Sequence, residues 1–401
     1  KQFPENNYRK ETVKQMAESY VIGVDFGSDS VRALIVNTET GENVGQGVAC
    51  YPRWKAGLYQ HPEYSIFRQH PLDYLESLEK CITTALAELT EEQKDHVIGI
   101  GVDTTGSTPV PVDKNGIPLA LLDEFAENEN AMFFLWKDHA AAAEADEINK
   151  LFRNNSENDY TKYQGDYSAE WYWAKILYAV RHDEAIRQAA YTWEEHCDWM
   201  TGILCGETRP EKIYHSACAA GHKALWHSEW NGLPAASVLE QLDPYLVQVR
   251  ERYGNAPQPS TVKVGTLCPE WAKKLGLKES TVISGSSFDA HAGAVGAGIQ
   301  KKTFVCTMGT SCVDMFVEKP ENLNGKDIQA YCGQAENSIL PGYVGVETGQ
   351  AAFGDIFAWF KRLLEWPLTE LAADENSGIS DELYKKVEDR ILVMLQKKAE
   401  E

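Results

Sequence analysis

A surplus of basic residues is the first thing this chain lacks. It carries 38 Lys and Arg against 60 Asp and Glu, a formal net charge of −22 over 401 residues. Proteins that coat nucleic acid or anionic membranes need a basic face to displace counterions, and no Lys/Arg cluster supplies one. Nucleic acid and membrane are therefore not expected as partners, and any phosphate must be met by backbone amides, a metal or a few local cations. Long apolar runs are missing too. None approaches the ~20 residues of a spanning helix, and no basic stretch followed by an apolar one opens the chain. Paired cysteines are the third absence. Nine are scattered singly, without a C-x-x-C, which excludes zinc-ribbon and disulfide-framework readings and suits reduced thiols in a cytoplasmic protein. What is present is core material, 43% apolar and 10% aromatic, over a length that suits two or three domains of about 150 residues.

Residues 1–19 read as a polar tail. From Tyr20, two β-rich runs, Y-V-I-G-V-D and V-R-A-L-I-V-N, flank the turn F-G-S-D-S and predict a hairpin. Val44–Tyr51 continues it as a meander. Apolar residues at helical spacing (Leu75, Leu78, Ile82, Leu86, Leu89) predict a helix over Pro71–Leu89, and a strand follows at Val97–Val102. Strands alternating with helices imply an α/β lobe. From about Asn130 to Cys205 the chain turns helical and aromatic-rich, an insertion expected to shape a substrate cleft. A strand at Thr281–Ser284 is expected to open a second lobe. Thr303–Val317 then repeats the first hairpin, aligning Gly27 with Gly309, Ser28 with Thr310 and Asp25 with Thr307.

Gly-Ser/Thr turns between strands can aim successive N–H groups and a hydroxyl into one concavity that binds phosphate. They can equally be ordinary polar turns. Asp25, ending the first strand, is placed to hold Mg²⁺ through its waters. In S-G-S-S-F-D-A-H-A-G-A-V-G-A-G, a lone carboxylate, Asp289, stands between a strand and a helix rich in small residues. It can serve as a general base for a hydroxyl attacking a phosphoryl group, or as a helix cap.

Taken together, D-F-G-S-D-S, G-S-S-F-D-A-H-A-G-A-V-G-A-G and T-M-G-T-S resemble the FGGY carbohydrate kinases of the actin, hexokinase and heat-shock ATPase superfamily. Within that family, four further stretches resemble the branch that phosphorylates L-ribulose in L-arabinose catabolism. They are Gly101–Asp113, Phe125–His139, Gly221–His227 and Gly345–Phe360. The resemblance implies ribonuclease H-like α/β lobes of actin/hexokinase type, ATP and Mg²⁺ as cofactors, and Asp289 as the base acting on O5 of the sugar. It implies Lys223, Glu347 and the backbone at Gly106 as sugar contacts. Gly27, Ser28 and Ser30 match one phosphate loop, Gly309, Thr310 and Ser311 the other, and Gly354 a position near the nucleotide. Trp136 and Asp138 are candidates for the cleft wall, a flat ring for the sugar C–H face and a carboxylate for its hydroxyls, or else core and helix start.

The expected division is residues 20–280 for the first lobe and 281–401 for the second. Family members run further, so the second lobe is expected to be incomplete, and its chain to bind ATP weakly, turn over poorly and self-associate, with a homodimer among its expected partners. The alternatives are an FGGY kinase for another pentulose or pentitol, and a non-catalytic actin-like nucleotide-binding fragment.

Overall fold

The computed structural model describes residues 18–309, 312–323, 326, 328, 333–350, 353–373 and 380–400. They divide into two units. One holds the chain to Thr161 together with Asp166–Asp289, the other Lys162–Gly165 and the chain from Ala290 onward.

The first unit is built on a mixed sheet, seven-stranded among the described residues, whose strands alternate in burial as half-buried strands must. Tyr20–Phe26, Ser30–Asn37 and Asn43–Cys50 form the expected antiparallel meander. On its other edge Tyr20–Phe26 pairs in parallel with Val97–Thr104. The helix Pro71–Leu86 crosses the meander, started by Pro71 and by His70, whose Nδ1 accepts from the Leu72 amide at 3.1 Å. It buries Tyr74, Leu78, Cys81, Ile82 and Ala85. The approach is close enough that a Cβ on Gly47 would stand 2.1 Å from the Cys81 carbonyl oxygen.

Val282–Ser284 lies in this same sheet, parallel to Val97–Thr104, and Ser287–Phe288 adds to that strand further along. The strand expected to open the second lobe therefore closes the first. Its partner is some 180 residues upstream by number, a pairing that local pattern cannot report.

The insertion packs a second core of its own around Trp173, Trp193, Tyr172 and Phe134, all buried. Trp171, Tyr172 and Trp173 are packing residues, as their helical crowding suggests. In the second unit, Val305–Met308, Cys312–Glu318, Val344–Gln350 and Gly333–Glu336 form an antiparallel sheet in that order. Met315, Val317, Ile299 and Ile339 fill its core. Two long helices follow, Gly354–Ala373 and Asp381–Glu400. The first of them exposes Phe357, Trp359 and Trp366. Among the described residues no helix is long and apolar enough to cross a membrane, and the cysteines there are free thiols.

Candidate functional site

Three carboxylates meet at the carboxyl ends of neighbouring strands in the first unit. Parallel register sets Asp25 opposite Asp103, and Ser287 opposite Asp103 on its other side. Phe288 lies opposite Thr104, so Asp289 steps off the sheet at the same end and opens the helix Asp289–Gly296. In an open α/β sheet this is where ligands bind. Burial, then the charges of Asp25 and Asp289, hold the Asp103 carboxyl well above the usual carboxylate range, and a hydrogen bond with Asp25 adds to the shift. Asp103 thus holds its proton to a higher pH than an ordinary carboxyl does. Asp25 is balanced from outside by Arg32 at 3.1 Å. Asp103 is not among the candidates drawn from sequence, although a signal for it is present: I-G-V-D occurs at 22–25 and again at 100–103, and the two copies pair residue for residue.

The turn after Asp25 is fastened from behind. Gly27 donates to the Ser30 carbonyl at 3.0 Å, while its own carbonyl accepts from the Tyr51 hydroxyl at 3.0 Å. Gln69 donates to the Ser28 carbonyl at 2.6 Å, and Trp54 Nε1 to Asp29 at 2.6 Å. Trp136 Nε1 donates to Ser28 Oγ at 2.8 Å. A hydroxyl that accepts from an indole keeps its own proton to give. Ser30, by contrast, is buried within a strand opposite Cys50.

Gly106 is small for a reason the sequence did not reveal. A Cβ there would come within 1.9–2.3 Å of the Phe288 ring, so the protein itself denies the space. Because Phe288 precedes Asp289, Gly106→Ala is expected to push the ring and cost about 1–3 kcal/mol, as overpacking does. Thermal melting checks this, and an unshifted transition would mean the ring gives way freely. Lys223, just past the helix Ala217–His222, is buried with Nζ 5.1 Å from the Trp171 ring centre and 6.0 Å from that of Phe288. The structure thus groups Gly106, Lys223 and Phe288, the residue before Asp289.

Asp138 requires a correction. It is buried, its Oδ2 accepting from Arg68 and from the Phe67 amide at 2.7 Å, its Oδ1 from the Ala140 amide at 3.2 Å. Oxygens so engaged hold the chain around Trp136 in place and are not presented to a ligand.

In the second unit, the hairpin Val305–Met308 and Cys312–Glu318 brings Gly309 to its tip, and Gly354 donates to the Gly309 carbonyl at 3.1 Å. Thr310 and Ser311 lie outside the described residues. Glu347 is buried on Val344–Gln350, its Oε2 3.1 Å from His291 Nε2.

The chain matches the family model described as FGGY family of carbohydrate kinases, N-terminal domain, over residues 20–296, and the corresponding C-terminal domain over 304–399. It is 46% identical over 385 residues to a ribulokinase of Vibrio parahaemolyticus, covering 96% of this chain and 68% of that one. A ribulokinase of Shouchella clausii is 35% identical over 353 residues, covering 86% and 60%. The chain thus spans about two thirds of the length of the curated relatives it matches. Among solved structures, a xylulose kinase from Rhodospirillum rubrum superposes with a TM-score of 0.65 at 18% identity, covering 88% of this chain and 66% of that one. A glycerol kinase from Plasmodium falciparum gives 0.67 at 14%, covering 89% and 65%. At such identities the structures attest the fold alone.

Proposed function

The chain belongs to the FGGY family of carbohydrate kinases, and on that premise we propose that it phosphorylates L-ribulose at O5 with ATP, as a step of L-arabinose catabolism. What carries the reading is the convergence of Asp25, Asp103 and Asp289 at one end of the sheet, in a chain 46% identical to a ribulokinase.

Asp289 accepts the proton of the sugar hydroxyl as that oxygen bonds to the γ-phosphorus and the bond to the ADP oxygen breaks. The Ser28 hydroxyl, held by the Trp136 indole with its own proton free to give, donates to a phosphate oxygen. Lys223 donates to a sugar oxygen. Oxygen donors at the strand ends suit a hard divalent cation, so Asp25 would hold Mg²⁺ through its waters. The ion would neutralise charge on the transferring group.

A coupled assay across L-ribulose, D-ribulose, xylulose and ribitol tests the assignment. The highest kcat/KM is expected for L-ribulose. A preference for another pentulose or pentitol moves the substrate, and nucleotide binding with no sugar turnover favours the non-catalytic alternative.

A further inference from the structure

A buried amine holds the Gly106 turn from within. Lys175, in the helix Tyr172–His182, is 0% exposed. Its Nζ donates to the carbonyls of Ser107 and Leu135, both at 2.8 Å, and to that of Phe134 at 3.4 Å. From a different element, buried Glu195 accepts the Ser107 hydroxyl on Oε1 and the Thr108 amide on Oε2 at 2.8 Å. Ser107 is therefore gripped at both its carbonyl and its hydroxyl. The same ammonium ties this turn to the segment that leads into Trp136, whose indole reaches Ser28.

Charges so placed are costly. Burial draws Lys175 down to about 7 and lifts Glu195 to about 7. Apolar side chains of similar volume commonly hold a core as well or better than buried charges, so packing alone does not account for them.

We propose that Lys175 and Glu195 are positioning residues that set the Gly106–Thr108 turn for sugar binding. This role rests on the sugar-kinase reading above. Neither side chain touches substrate. Each acts through the backbone at Gly106 that the family resemblance makes a sugar contact, and a small misplacement of such backbone is felt in binding and rate.

The test is steady-state kinetics on Lys175→Met and Ser107→Ala beside the parent protein. Both variants are expected to raise the KM for pentulose, Lys175→Met by roughly ten- to a hundredfold and Ser107→Ala by less, with the KM for ATP little changed. A purely structural role would lower the amount of active protein and leave both KM values alone. Ser107→Ala removes one oxygen from a side chain and decides the matter by itself should Lys175→Met fail to fold. Unchanged pentulose KM in a parent that turns over pentulose overturns this role and leaves the sugar-kinase reading standing. A parent with no pentulose turnover overturns both.

Discussion

Replacing Asp289 by Asn is expected to lower kcat by about a hundred- to ten-thousandfold, the span of a lost general base, with pentulose binding largely kept. The amide has the carboxylate's shape and can still start the helix Asp289–Gly296, since Asn caps as well as Asp. What it cannot do is take a proton from the attacking hydroxyl. Asp103 is a poor substitute although it lies on the neighbouring strand. Burial and the charges of Asp25 and Asp289 keep its own proton in place. A coupled assay measures turnover and calorimetry measures the sugar; a variant that still turns over at near the parental rate would remove Asp289 from the role of base.

The second large effect is one of stability. Asp138→Ala should cost about 3–5 kcal/mol, the usual result of deleting one partner of a buried ion pair. Arg68 is buried with its guanidinium carbon 3.5 Å from the Phe134 ring centre. Burial pulls its pKa to about 9, so it remains charged at neutral pH. Without Asp138 that charge and the Phe67 and Ala140 amides lose their acceptor together. Denaturant titration of parent and variant reads the difference. Equal midpoints with weakened pentulose binding would return Asp138 to the cleft wall that the sequence suggested.

The contrast between Asp138 and Asp289 shows what was legible. Both are lone acids beside small or aromatic neighbours. Asp289 stands where a β-run gives way to an Ala/Gly-rich helix, a junction visible in the local pattern, and its place at the sheet end follows from that junction. The fate of Asp138 depends on Arg68, seventy residues away, and no periodicity links them. The meander, the helix from Pro71 and the hairpin at Thr303–Val317 were all readable because each is held by neighbours in sequence. Parallel pairing is not local, which is why Val282–Ser284 was placed in the wrong lobe and Asp103 was overlooked. Lys175 and Glu195 were invisible for another reason: a charged residue in an aromatic helix or short strand reads as a solvated face until its partners are known. Gly106 was recognised as small, but the ring that demands it arrives from residue 288.

The uneven distribution of tryptophan gives each unit its own optical signature. Trp171, Trp173, Trp193, Trp199 and Trp271 sit in the apolar interior of the first unit, where indole emission lies toward the blue. In the second, Trp359 and Trp366 are 55% and 61% exposed, and water relaxes their excited states toward the red. Loss of light at the short-wavelength edge therefore follows the melting of the first unit, to which the exposed indoles of the second add little, with no label attached.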